Sequence, residues 1–175
     1  MMKLNEIFKI VRNGTHLNAI RKFNLAPRGV GSVPSVKALA ESLGFAVTRK
    51  ILPNGISGRL VTDPFSENGY CIEVNENESV VRQRWTVLHE IGHYYLHVDR
   101  SDPFAPAKFR DRFDPFYLEN ELKEEREADG FAAAILFDHG ALSAARTLFN
   151  NDVEMIARHF GMSQEVVRIG LGQFG

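Results

Sequence analysis

The sequence predicts an α+β fold, and three observations carry that prediction. Helical apolar spacing opens the chain, a block of short β-branched segments separated by turn residues follows, and helical spacing returns after it. The predicted sheet is small and at least partly antiparallel, packed against a long helix pair, with helix-turn-helix-like helices at the C-terminal end.

The elements follow in order. Leu4, Ile7, Phe8, Ile10 and Val11 recur at helical spacing, and Asn13-Gly14 offers a stop. The Gly- and Pro-containing stretch from Asn24 to Pro34 is expected as a connection. Val36, Leu39, Ala40 and Leu43 mark a short helix closed by Gly44. Three strands are expected over Phe45–Ile51, Ser57–Thr62 and Tyr70–Val74, punctuated by Pro53-Asn54-Gly55 and Glu67-Asn68-Gly69. After a polar turn at Asn75–Glu78, a long helix is expected over Ser79–His97 and a second over Pro115–Phe137. The loop between them, Asp99–Asp114, holds Pro103 and Pro106 among several phenylalanines, and could be a lid or a pinned surface loop. Shorter helices end the chain, with breaks near His139-Gly140 and Gly161.

Composition narrows the function classes. The chain has 175 residues, 44% apolar and 25% charged, which suits one globular domain with at most a small appended subdomain. With 21 basic and 22 acidic side chains the net charge is −1, so no electrostatic footprint for nucleic acid is present, and direct binding of DNA or RNA is not expected. Cys71 is the only cysteine, which fits a reducing compartment. The first residues break into charges too early for a secretory apolar region, and the longest apolar run, Phe131–Phe137, is too short to span a bilayer. A cytoplasmic protein without a membrane partner is the expectation.

The chemistry is concentrated in His89-Glu90-Ile91-Gly92-His93. On a helix, residues four apart leave the same face one turn above the other, so His89 and His93 can reach one tetrahedral ion at about 2.0–2.1 Å each. Glu90 projects beside them and can act on an attacking water. The neighbouring Val87, Leu88, Ile91 and Leu96 make the segment a buried helix, where imidazoles need partners.

A third ligand is required. His97 lies about 12 Å along the helix axis from His89, too far to share an ion with both. It is expected to support a ligand, contact substrate or end the helix. The acidic segment Glu119–Asp129 is the better source. Within it Glu125 and Asp129 are four apart, so Glu125 can bind metal while Asp129 accepts a hydrogen bond from the free ring nitrogen of a ligand histidine. Glu124 and Glu127 remain alternatives to Glu125. Two histidines and a glutamate suit one zinc ion best, with manganese or iron as secondary candidates. The chemistry implied is metal-assisted hydrolysis of an amide, with Glu90 as the base and an oxyanion donor among His97, Tyr94 and Tyr95. Substrate could lie extended along a sheet edge.

From Val36 to Leu171 the chain resembles the ImmA/IrrE-type metallopeptidases, related to the zinc enzymes with a glutamate third ligand. The likeness rests on Leu39-Ala40-Glu41-Ser42-Leu43-Gly44, Ile56-Ser57-Gly58 and Ile72-Glu73-Val74-Asn75. It is strongest from Arg82 through His93, and continues in Glu125-Arg126-Glu127-Ala128-Asp129-Gly130-Phe131-Ala132-Ala133 and Ile156–Ser163. The chain departs from the family pattern at Leu136-Phe137-Asp138, where members usually carry a Leu-Met-Pro-like stop. The resemblance implies zinc on His89, His93 and Glu125 with Glu90 catalytic. It also implies a substrate class, cytoplasmic helix-turn-helix (XRE-like) transcriptional repressors of stress or mobile-element responses. The expected organisation is a metallopeptidase domain over residues 1–138, with a zincin-like core at about 35–138. A helical subdomain over 139–175 packs on it.

Two other readings follow from the same residues. The helices Asp152–His159 and Ser163–Leu171, with Ser163 as N-cap, have a helix-turn-helix outline, but Arg146, Arg158 and Arg168 are balanced by Asp152, Glu154 and Glu165, so a packing or protein-binding role is expected. Alternatively, a non-proteolytic, toxin-like or regulatory metal-binding protein would act through a repressor or antitoxin partner. His16, His139 and His159 are expected as surface or cap residues, and Trp85 and Cys71 as core.

Overall fold

The computed structural model describes residues 1–29, 31–101 and 119–175, with residues 119–121 described by their helical backbone. Eight helices and one three-stranded sheet follow in an α+β order among the described residues. Helices α1 (Leu4–Val11), α2 (Gly14–Leu25) and α3 (Val36–Ser42) precede strands β1 (Ala46–Lys50), β2 (Gly58–Thr62) and β3 (Tyr70–Asn75). The long helices α4 (Val80–His97) and α5 (Glu119–Phe137) come next, then α6 (Ala141–Leu148), α7 (Val153–Phe160) and α8 (Gln164–Phe174). Most of the expected loop, and the expected first turn of the second long helix at 115–118, lie outside the described residues.

Asn13-Gly14 proves to be a joint rather than only a stop. Arg12 ends α1 in a left-handed conformation (φ 58°), and the Asn13 side chain accepts from the His16 amide to cap the next helix. Helix α2 carries few apolar residues, with Ile20 and Phe23 buried alongside Asn24. The Asn24 amide donates to the Ile135 and Asp138 carbonyls, which ties the end of α2 to the end of α5. The expected connection at Asn24–Pro34 therefore begins later, because α2 runs to Leu25.

In the sheet, β3 lies between β1 and β2, parallel to β1 and antiparallel to β2. Tyr70, Ile72 and Val74 join the core with Val87, Leu88 and Ile91 of α4. On the opposite face Glu73 is buried between Lys50 of β1 and Arg59 of β2, with Arg59 Nε 2.5 Å from its Oε2. Desolvation alone would raise the Glu73 pKa, but hydrogen bonds and charges from Lys50 and Arg59 outweigh it and leave the carboxyl below its ordinary value. A depressed carboxyl pKa contributes stability above its unfolded value and loses it as pH falls through the folded one. Chemical denaturation of metal-free wild type and Glu73→Gln at neutral and acidic pH should therefore show wild type losing the larger share of its advantage below the ordinary glutamate range; parallel losses would discount the triad.

One hydrophobic cluster runs from Leu4 and Ile7 through the sheet and the two long helices to Phe160 and Val167. Phe137 packs edge-on against Phe160 at 5.0 Å, and Gly170 of α8 leaves room for the Phe137 ring. Arg84 of α4 donates to the carbonyls of Pro34, Phe160 and Gly161, so the metal-motif helix also holds the α7–α8 turn.

Where α4 crosses α5, Gly92 is the contact point. A Cβ there would stand 3.0 Å from the Ala128 carbonyl oxygen and 3.1 Å from the Phe131 Cβ. Gly92 sits between His89 and His93, and Ala128 between Glu125 and Asp129, so this close approach brings the two sets of side chains within reach. Gly92→Val is expected to cost about 1–3 kcal/mol by overpacking. Urea unfolding should show a lower midpoint and zinc titration a weaker site; an unchanged midpoint would contradict the crossing described.

Candidate metal centre

Helix α4 starts at Ser79, whose hydroxyl accepts from the Arg82 amide, and runs unbroken to His97. That length carries both histidines of the motif under the sheet and against α5. His93 is buried and His89 half-buried. From α5, Glu125 enters between them. Its Oε2 lies 3.1 Å from His89 Nε2 and its Oε1 3.2 Å from His93 Nε2. The two Nε2 atoms are 2.8 Å apart. His89, His93 and Glu125 thus form a group that could hold a metal ion, with one ligand atom each all within 4.8 Å of one another.

This donor set fits zinc on geometric grounds. A tetrahedral ion at about 2.0–2.1 Å from each ligand separates the ligand atoms by about 3.3 Å, close to the distances here. The chemistry fits as well. His89 Nδ1 is 2.8 Å from Asp129 Oδ1, and an ionised carboxylate only accepts, so a neutral His89 ring carries its proton on Nδ1 and presents a lone pair at Nε2. Two ring lone pairs converging with a carboxylate form a donor set that a bound cation would satisfy. Glu124 and Glu127, the alternatives on α5, do not join the group. Glu127 Oε2 instead lies 3.0 Å from His97 Nε2, and His97 Nδ1 lies 2.9 Å from His93 Nδ1.

The centre opens into a cleft of about 110 Å³ lined by His89, Glu90, Glu125 and Asp129 on one side and by Gly55–Gly58 on the other, with Arg82, Trp85 and Thr86 between. Glu90 is half-buried on this wall. The Gly55–Gly58 rim leads into β2, an edge strand of the sheet. Trp85, expected in the core, is half-buried and lines the cleft; it lies four residues before His89 on the same helical face, a spacing that points to it. It also walls a neighbouring apolar hollow formed with Ala133, Val166 and Ile169.

The three candidate oxyanion donors do not line this cleft. Both ring nitrogens of His97 are engaged, with His93 and Glu127. Tyr95 is buried, stacked on Phe131, and its hydroxyl meets His16 Nδ1 at 3.0 Å, so His16 is a buried-side partner rather than a plain surface residue. Tyr94 packs edge-on against Phe45 and Tyr70. Burial raises the pKa of both tyrosines, so each remains a neutral phenol.

Among the described residues no helix is long and apolar enough to cross a membrane. A comparison with curated protein sequences finds no match. Among solved structures, a Mycobacterium tuberculosis transcriptional regulator is similar in fold, with a TM-score of 0.55 at 15% identity over 95% of this chain; the chain spans about half of that protein, 51% of its length. The model of the Peptidase_M78 family, described as the IrrE N-terminal-like domain, matches residues 40–171. That match takes in both long helices and every residue of the His89–His93–Glu125 group, and the chain belongs to this peptidase family.

Proposed function

We propose that this chain is a cytoplasmic zinc-dependent endopeptidase that cuts a helix-turn-helix (XRE-like) transcriptional repressor. The observation that carries the reading is the convergence of His89 Nε2, His93 Nε2 and Glu125 at 2.8–3.2 Å beside Glu90, in a cleft under a sheet edge. Family membership supports peptide hydrolysis, and the resemblance to the ImmA/IrrE-type enzymes supports the substrate class.

In this reading His89, His93 and Glu125 hold one zinc ion, and Asp129 keeps His89 in the tautomer that can ligate. Zinc bound there supplies Lewis acidity, acidifying a water and polarising the scissile carbonyl. Glu90 takes the proton of the attacking water and returns it to the leaving amine. The Gly55–Gly58 rim leads into edge strand β2, and an extended segment of substrate can lie along that edge. Residues 1–138 form the peptidase domain, and residues 139–175 a helical subdomain supported on it by Arg84 and Phe137.

The test compares new protein N-termini produced in a whole-proteome digest by zinc-loaded wild type and by Glu90→Gln. The expected result is a new terminus within a small DNA-binding repressor, present with wild type and absent with Glu90→Gln. No new termini with the zinc-loaded protein, together with an intact repressor co-purifying with it, would replace the enzyme by a regulator that acts through binding.

A further inference from the structure

The carboxylate supporting His89 has a counterpart for His93, reached through a third histidine. Glu127 Oε2 lies 3.0 Å from His97 Nε2, and His97 Nδ1 lies 2.9 Å from His93 Nδ1. The proton order along this line follows from its end. A carboxylate accepts only, so His97 Nε2–H donates to Glu127. The Nδ1 of neutral His97 is then a lone pair, which accepts from His93 Nδ1–H. His93 is left with a bare Nε2, the atom that faces His89 Nε2 and Glu125. His89 reaches the same state directly through Asp129.

We propose that His97 and Glu127 form a hydrogen-bond relay that holds His93 in the tautomer and orientation of a metal ligand. The inference rests on the metal centre described above and adds two positioning residues to it. It accounts for the placement of His97 one helical turn beyond His93, where it is too distant to ligate but faces the same side. It also divides the acidic segment of α5 by task. Glu125 faces the metal position, Asp129 supports one histidine, and Glu127 supports the other at second hand. The His97 and His93 side chains are each 7% exposed, so water competes little for these hydrogen bonds; Glu127 is 40% exposed and also lies 3.8 Å from Lys123. The far end of the relay therefore reaches the surface outside the cleft.

The test measures zinc affinity by competition with a chelator, and the visible spectrum of the cobalt-substituted protein, for four variants. Outer hydrogen-bond partners of ligand histidines are typically worth about 10–100-fold in metal affinity. His97→Phe preserves a ring without the acceptor and should weaken zinc by about that factor, with a shifted cobalt spectrum. His97→Asn places an amide oxygen where Nδ1 stood and should recover most of the loss. Glu127→Ala should weaken binding, and the double variant His97→Phe/Glu127→Ala should be no weaker than His97→Phe alone, because both act through one line. Melting of the metal-free proteins checks that the fold is kept. Wild-type zinc affinity and an unchanged spectrum in His97→Phe, or losses that multiply in the double variant, would overturn the relay while leaving the peptidase reading intact. A wild-type protein that takes up no zinc would overturn both.

Discussion

Glu90→Gln protein is expected to bind zinc as wild type does and to lose peptide hydrolysis by about 10²–10⁴-fold, the range attributed to a positioned general acid–base group. The substitution keeps side-chain shape and removes only the basic oxygen. Glu90 lines the cleft beside His89 and Glu125 but does not belong to the converging metal group, so its loss should leave metal content and melting temperature unchanged. A single-turnover assay on an identified substrate, paired with zinc analysis of the same sample, separates the two roles. Hydrolysis at the wild-type rate would remove Glu90 from the mechanism; loss of zinc together with activity would make it a structural support of the centre.

The second large effect is expected at Glu125. Glu125→Ala removes one of three ligands and should reduce bound zinc from about one per chain to a trace in protein purified without added metal. Glu124→Ala should keep the wild-type content, and Glu127→Ala should keep it when zinc is in excess, with the weaker affinity expected of a relay partner. Stability should follow occupancy. A ligand at a thousand times its dissociation constant adds about 4.1 kcal/mol to unfolding free energy. Zinc should therefore raise the urea midpoint of wild type and leave that of Glu125→Ala where it was. Equal stabilisation of the two proteins would place the zinc elsewhere.

The parts of this architecture that the amino-acid sequence revealed are those with strong periodicity. The α4 pattern is regular over its whole length, Ser79 is a recognisable cap, and the His89–His93 spacing names its own geometry. Helix α2 leaves little trace in the pattern because only Ile20 and Phe23 supply its buried apolar face, while Asn24 binds α5 through backbone carbonyls that no local pattern records. The strands are visible as β-branched runs, but the order β1-β3-β2 and the parallel β1–β3 pairing depend on how the chain crosses, which strand composition does not encode. At the site, four-residue spacing puts Glu125 and Asp129 on one side of α5, and both side chains reach His89. The same reasoning places Glu127 elsewhere on the helix, and its meeting with His97 depends on the crossing at Gly92. Tyr94 and Tyr95 are next to His93 in sequence, but one- and two-residue steps rotate a side chain off the ligand face, here into the aromatic packing with Phe45, Tyr70 and Phe131.

The central claim, a zinc ion held by His89, His93 and Glu125, is tested most directly by anomalous diffraction at the zinc absorption edge from crystals of the purified protein. The account predicts one peak per chain, about 2.0–2.2 Å from the Nε2 atoms of both histidines and from a Glu125 oxygen. A peak on other residues, or none after soaking with zinc, would contradict it.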